Sequence, residues 1–145
     1  MSVEGCLACD AVAGRLGVPG GTIAETEHWH ADHCIGPFGD GAVVVKTKAH
    51  IEDLWTLPDD AARELGPFLR LLSGAIVAAL SAERVYLSMW VDKPPLHVHL
   101  VLYPRYAEDP DRALDLQVRR WSEGPPSPEN AAAAAQRLRD HLAEA

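Results

Sequence analysis

The chain has 145 residues, which is the length of one ordinary domain. Apolar residues make up 48% and charged residues 23% of it, a balance typical of soluble globular proteins that excludes extended disorder. The formal net charge is −8, opposite in sign to that of proteins that bind bulk nucleic acid through clustered Lys and Arg. A small phosphorylated ligand remains compatible with this charge, because its pocket needs only local positive or N–H groups.

The N-terminal segment, the length of the apolar tracts and the number of cysteines bear on the cellular location of the protein. The segment 1–5 lacks a basic stretch followed by an apolar one, so we predict no signal peptide. The longest apolar tract, residues 71–80, is too short to span a bilayer. Three cysteines are too few for a secreted disulfide scaffold. We therefore expect a cytoplasmic protein without a membrane segment.

The first half of the chain predicts strands and then one long helix. A strand is expected over residues 28–34, and the run Ala42–Val45 after Gly39-Asp40-Gly41 predicts a hairpin strand buried on both faces. Residues 56–59 have the form of a helix start. The apolar residues that follow at helical spacing are Leu65, Phe68, Leu69, Leu72, Ile76 and Leu80. Gly66-Pro67 inside this run should kink the helix or delay its start.

The second half predicts two more strands and a terminal helix. The strands are expected at residues 85–90 and 96–103, with Pro104 ending the second, and the helix at residues 127–142. Strands that follow one another without alternating helices indicate an α+β fold with an antiparallel sheet.

Histidines and cysteines are the candidate chemical groups. His97 and His99 are two apart in a predicted strand and should share one face, where they are either satisfied histidines, metal ligands or a catalytic imidazole. Cys6 and Cys9 form a CxxC pair, which is a redox dithiol, half of a zinc site or two small apolar residues. For zinc, the missing ligands would be distant histidines, with His50 and His97 as candidates.

A second group of histidines gives weaker evidence for a functional site. His28, His30 and His33 lie close together in sequence, but no cysteine or acid is spaced to complete a site with them. We expect these three residues at the surface.

The order of these segments along the chain and the spacing between them resemble those of the histidine triad family of nucleotide hydrolases and transferases. The resemblance rests on the CxxC pair, residues 41–45, residues 46–54 with Lys48-Ala49-His50, and His97-Val98-His99 followed by residues 100–105. It covers about residues 1–106, which we expect to form a histidine-triad-like domain. Residues 107–145 would be a C-terminal extension with a helix packed on the same domain.

The resemblance implies a five-stranded antiparallel sheet with flanking helices, a homodimer, and reaction at the α-phosphate of a nucleotide. His99 matches the nucleophilic middle histidine of the family motif. A neutral imidazole can attack phosphorus when its other nitrogen donates to a fixed acceptor. The cysteines and histidines that bind a structural zinc ion in bacterial members match Cys6, Cys9, His50 and His97, although His99 remains an alternative fourth ligand.

The chain departs from the family pattern at several positions. Val101 replaces the third histidine and cannot donate a hydrogen bond, and Ala42 stands where a supporting histidine is usual. Cys34 falls at the ribose-facing position, and Asp92-Lys93-Pro94-Pro95 replaces the phosphate loop, where Lys93 is a candidate phosphate contact. We therefore take Lys93, Cys34 and Val101 as the positions expected to face the substrate.

Three functions follow from this pattern. The first is a nucleotide hydrolase or nucleotidyl transferase that uses His99. The second is a zinc-stabilised binding or interaction module on the same fold with catalysis lost. The third is an enzyme repurposed for small-molecule biosynthesis.

Overall fold

The computed structural model describes residues 2–144, in which five strands form one antiparallel sheet. The strands are β1 (Thr22–Glu25), β2 (Trp29–His33), β3 (Val43–Thr47), β4 (Arg84–Ser88) and β5 (His99–Arg105). Their order across the sheet is β1-β2-β3-β5-β4, and every neighbouring pair runs antiparallel. The predicted α+β architecture with a five-stranded antiparallel sheet is confirmed.

Within residues 2–144, four α-helices flank this sheet. They are α1 (Leu7–Val12), α2 (Asp59–Leu80), α3 (Ala113–Glu123) and α4 (Pro128–Glu144). The predicted apolar stripe of α2 packs against one face of the sheet through Phe68, Leu72 and Ile76, and α4 joins the same core through Ala135 and Leu138. Among residues 2–144, no helix combines the length and apolar character that a membrane span requires.

The hairpin between β2 and β3 depends on two glycines. Gly39 and Gly41 both have φ of +89°, a conformation that L side chains rarely adopt. At Gly41 an added Cβ would lie 2.5 Å from the hydroxyl oxygen of Tyr106 and 2.6 Å from a methyl of Leu80. The turn therefore fixes the β2–β3 register, in which Asp32 pairs with Val44 and His30 with Lys46.

Helix α2 begins later than predicted and continues through its proline. Thr56 ends a short 3-10 helix and its hydroxyl donates to the carbonyl of Asp53, so it does not cap α2. The helix is unbroken at Pro67, whose side chain is exposed. Arg63, whose carbonyl loses its N–H partner there, is also an exposed residue, so water can replace the missing donor.

Strand β5 is shifted relative to the prediction. It starts at His99 rather than Leu96, and it continues through Pro104 to Arg105. Pairing of β5 with β3 ends at Leu102, while pairing with β4 extends to Arg105. Beyond Leu102 one side of β5 is a sheet edge, and a proline is tolerated there because no ladder bond from its nitrogen is needed.

The second face of the sheet is the one that carries the polar groups. Along β3, Val43 and Val45 face the α2–α4 core, so Val44 and Lys46 point to the opposite face. Val101 packs on this opposite face in a small cluster with Cys34, Ala42 and Tyr103. His99 lies two residues before Val101 and shares its face, so the candidate site is on the side away from the main core.

Candidate functional site

The first turn of α1 brings the two cysteine side chains together. Cys6 is the N-cap of this helix, and its sulfur accepts a hydrogen bond from the backbone N–H of Cys9 at 3.4 Å. Both side chains are buried, and none of the three cysteines of the chain is in a disulfide. Burial raises the pKa of the Cys6 thiol.

Two histidines from distant parts of the chain converge on these sulfurs. Cys9 Sγ lies 3.2 Å from His50 Nδ1 and 3.6 Å from His97 Nδ1, and Cys6 Sγ lies 3.4 Å from His97 Nδ1. The two Nδ1 atoms are 3.3 Å apart. Four donor atoms, two of sulfur and two of nitrogen, therefore lie within 4.8 Å of one another.

These distances fit a tetrahedral zinc ion. Zinc bonds of about 2.3 Å to sulfur and 2.0 Å to nitrogen place neighbouring ligand atoms about 3.3–3.8 Å apart. The tautomer of His97 also fits, because its Nε2 lies 2.8 Å from the carbonyl oxygen of Thr47 and must donate to it. The lone pair of His97 is then on Nδ1, which faces the cysteines. Such a backbone acceptor behind a histidine is typical of metal ligands.

His99 lies beside this quartet with its proton position fixed. Its Nδ1 is 2.7 Å from the carbonyl oxygen of His97, which can only accept, so Nδ1 carries the proton. The lone pair is consequently on Nε2. A neutral imidazole held in this way can act as a nucleophile through Nε2.

A cavity of about 500 Å³ lies on this side of the sheet. His99 and His97 are part of its wall, and apolar side chains of α1 and of the loop before β5 line much of the rest, including Leu7, Ala11 and Trp90. A pocket of this size, with mostly apolar walls and a few polar groups, is the usual form of a small-molecule site.

A buried ion pair belongs to the same cavity wall, and the sequence analysis missed it. Lys46 Nζ donates to Asp32 Oδ1, and the two residues are only 3% and 2% exposed. Burial lowers the pKa of Lys46, while the adjacent carboxylate of Asp32 opposes that shift. Asp32 falls inside the strand predicted over residues 28–34, whose histidines were expected at the surface, and Lys46 directly follows the predicted buried run Ala42–Val45, so nothing in the sequence indicates that the two charges are buried together.

The positions predicted to face a substrate divide into two groups. Cys34 and Lys93 line the cavity, Cys34 as a buried thiol and Lys93 on the exposed loop before β5. Val101 is not among the lining residues and packs instead within the small cluster on this face. Burial raises the pKa of Cys34 to about 11, so this thiol is protonated at neutral pH.

The expectation that His28, His30 and His33 lie at the surface is wrong for two of them. His30 and His33 are 3% and 1% exposed, because β2 is buried along its whole length. His33 donates from Nδ1 to the carbonyl of Cys34, and its Nε2 accepts from the N–H of Gly41, so it stabilises the hairpin. His28 is partly exposed and contacts a carboxylate of Glu64.

Comparison with known structures identifies the fold. The chain is similar to a zinc-bound histidine triad family protein from Mycobacterium smegmatis, with 22% identity, a TM-score of 0.74, and coverage of 97% of this chain and 94% of that one. It is also similar to a hypothetical histidine triad nucleotide-binding protein from Sulfolobus tokodaii, with 20% identity, a TM-score of 0.77, and coverage of 96% and 93%. A HIT family member from Bacillus subtilis has 24% identity, a TM-score of 0.65, and coverage of 77% and 81%.

The family resemblance inferred from the sequence is therefore confirmed at the level of the fold. No family model matches the chain, and no curated protein matches it either. Two of these structural matches cover nearly the whole chain, so the similarity extends past residue 106 into α3 and α4.

Proposed function

We propose that this chain is a nucleotide hydrolase or nucleotidyl transferase in which His99 attacks the α-phosphate. The observation that carries the proposal is the 2.7 Å contact from His99 Nδ1 to the carbonyl of His97, which leaves Nε2 as a free nucleophile at the cavity. The nucleotide-binding description of the Sulfolobus tokodaii protein, which has the same fold, supports the choice of a nucleotide.

The proposed reaction has two displacements at phosphorus. In the first, His99 Nε2 forms a bond to the α-phosphorus while the bond to the leaving group breaks, and the leaving group takes a proton from water. In the second, water attacks the same phosphorus, the N–P bond breaks, and the imidazole is regenerated. A nucleophilic histidine divides one difficult displacement into two easier ones.

We further propose a structural zinc ion held by Cys6, Cys9, His50 and His97. The convergence of these four donors and the zinc-bound protein of the same fold support this assignment. When bound, zinc would supply only rigidity to the site. His97 then orients His99, because the carbonyl of His97 is the acceptor that fixes the tautomer of the nucleophile.

A second copy of the chain is the proposed partner. Helix α3 exposes Leu114, Val118 and Trp121 at helical spacing, with between 49% and 69% of each residue exposed. An apolar stripe of this kind on a soluble domain indicates a contact surface. Analytical ultracentrifugation should find a dimer that Val118→Glu dissociates, and a monomeric parent protein would reject this assignment.

We also propose a cytoplasmic location. The support is that none of the three cysteines is in a disulfide, a state that a reducing compartment maintains.

The test of the enzymatic proposal is turnover by the His99→Ala variant. Zinc-loaded protein is assayed with dinucleoside polyphosphates and adenosine phosphoramidates, and loss of the nucleophile should reduce turnover at least about 1000-fold. His141→Ala, in the last turn of α4 and outside the cavity, is the matched control and should retain full activity. Unchanged turnover in His99→Ala would reject the proposal, and tight nucleotide binding without turnover in the parent protein would favour a binding module.

A further inference from the structure

Lys46 lies directly opposite His99 in the sheet. The β3–β5 register pairs these two residues, and both point to the face that carries the cavity. Directly opposed residues of antiparallel strands have Cβ atoms about 4.5–5.5 Å apart. The neighbouring row contains Asp32, Val44 and Val101. Lys46 therefore starts beside the candidate nucleophile, and its side chain reaches diagonally to Asp32, the β2 member of that neighbouring row.

The ion pair keeps unused hydrogen-bonding capacity. An ammonium group has three N–H donors, and within residues 2–144 that of Lys46 makes one hydrogen bond, to Oδ1 of Asp32. Oδ2 of Asp32 accepts no hydrogen bond within that same part of the chain, and the ring nitrogen Nδ1 of His30 lies 3.7 Å from it. A buried ion pair with few further hydrogen bonds is a poor source of stability compared with apolar side chains. Its place in the cavity wall points to a ligand that completes it.

The charge of that ligand is inferred from the buried cation, since Asp92, the carboxylate on the wall besides Asp32, is exposed to solvent. Among the described residues, the Lys and Arg side chains that line the cavity are Lys46, which is buried, and Lys93, which is exposed. A phosphate in contact with His99 Nε2 brings negative oxygens to a site of low dielectric constant, where a buried cation interacts strongly with them. Val101 offers no donor on this face, so Lys46 is the buried group that can meet this charge.

We propose that Lys46 binds the anionic oxygens of the phosphate group presented to His99, and that Asp32 is the positioning residue that holds the ammonium in place. The ligand class is a phosphate ester, and the inference rests on the proposed function for the role of His99. The cation of the site is thus supplied by β3, the strand next to the one that carries the nucleophile.

The experiment compares two ligands that differ only in the phosphate with a third that shares only the phosphate. Isothermal titration calorimetry of zinc-loaded protein is carried out with adenosine 5′-monophosphate, adenosine and phenyl phosphate. The main variant, Asp32→Asn with Lys46→Met, removes both charges together and leaves no unpaired buried ion that would prevent folding. Lys48→Met is the matched control, since Lys48 lies just beyond the end of the same strand, pairs with Glu25 and is not in the cavity wall.

The expected result is a loss of phosphate recognition alone. In the double variant, affinity for the monophosphate and for phenyl phosphate should fall about 30-fold or more, as for loss of a charge-assisted hydrogen bond. Affinity for adenosine should stay within about threefold of that of the parent protein, because adenosine has no phosphate. A general disturbance of the cavity would instead weaken the binding of all three ligands. Asp32→Asn alone should lower phosphate affinity in the same direction, and Lys48→Met should leave it unchanged.

Failure of this inference is separable from failure of the proposed function. The inference is overturned if the parent protein does not prefer the monophosphate to adenosine, or if the double variant keeps that preference. If the preference depends on Lys46 but no turnover depends on His99, the phosphate site stands and the enzymatic proposal falls.

Discussion

The sulfur of Cys9 lies 3.2 Å from Nδ1 of His50, although the two residues are 41 positions apart in the chain. The contact joins α1 to the segment that follows β3, and His97 completes the group from the loop just before β5. Three otherwise separate segments thus meet at one set of metal-ligand atoms. A bound ion there would tie α1 to the sheet.

Metal content is the first prediction. Purified protein should contain about one zinc ion per chain by elemental analysis, and Cys9→Ser should contain much less, because it replaces a thiolate ligand by a hydroxyl. Removal of zinc with a chelator should destabilise the fold by several kcal/mol, since metal binding contributes directly to folding. Cys34→Ala, which lies outside the quartet, should retain the ion. Equal metal content in both variants would contradict the ligand assignment.

The reactivity of the cysteines should divide into two classes. With a pKa of about 11, Cys34 has a thiolate fraction on the order of 0.1% at pH 8. All three cysteines are buried in the folded chain, but chelation would release α1 from the sheet and so expose Cys6 and Cys9. A chromogenic disulfide reagent should then modify Cys6 and Cys9 first, and Cys34 only once the protein is denatured. With zinc bound, all three thiols should react slowly. Three thiols of equal reactivity in the native, chelated protein would show that Cys34 is not buried as described.

The core of α2 gives a prediction on stability. Leu72 is 1% exposed between the helix and the sheet, whereas its neighbour Leu71 is 48% exposed. Leu72→Ala should lower the free energy of unfolding by about 2–5 kcal/mol, because it leaves a cavity. Leu71→Ala should change it by about 0.5 kcal/mol or less. Urea unfolding of the two variants at constant zinc would measure the difference, and equal losses would contradict the packing of α2.

An ion pair between His28 and Glu64 predicts a pH-dependent contribution to stability. The carboxylate of Glu64 raises the pKa of His28 above 6.5, and hydrogen bonds from Thr26 and His28 hold the pKa of Glu64 below 4.5. The His28 contribution is complete below pH 6.5 and is lost as the pH rises through the raised value. The Glu64 contribution is complete above pH 4.5 and is lost on acidification, so the pair stabilises most between these values.

Thermal unfolding of Glu64→Gln measures this contribution. The melting temperature should fall further below that of the parent protein at pH 5.5 than at pH 8.5, because deprotonation of His28 at the higher pH removes the ion pair from the parent protein as well. Glu108→Gln, in an exposed loop, is the control and should show no such difference. A gap between Glu64→Gln and the parent that is the same at both pH values would contradict the ion pair.

Regular patterns made much of the fold predictable. The β-branched run Val43–Val45 and the spacing of Phe68, Leu72 and Ile76 report burial directly, and the structure has a strand and a helix there. Helix α3 was not predicted, because much of its apolar content, including Leu114 and Trp121, faces outward rather than into the core. Strand β1 was also missed, since only Ile23 of its four residues is buried.

The residues of the candidate site could be predicted only where they form a motif of short, fixed spacing along the sequence. The CxxC pair and the two histidines of His97-Val98-His99 are recognisable in sequence, and the structure brings them to one side of the sheet. Asp32 and Lys46 are not recognisable in this way, because their pairing depends on the register of β2 and β3 and not on distance along the chain. The burial of His30 likewise follows from β2 having neighbouring strands on both sides.

The central claim is that His99 forms a covalent bond to the phosphorus of its substrate. Zinc-loaded protein would be mixed with a dinucleoside polyphosphate, quenched in alkali to preserve the N–P bond, and analysed by peptide mass spectrometry. We predict a nucleoside monophosphate adduct on the peptide that contains His99, at the ring of that residue, and no adduct in His99→Ala. Turnover that proceeds with the label on another residue, or with equal speed in His99→Ala, would contradict the account.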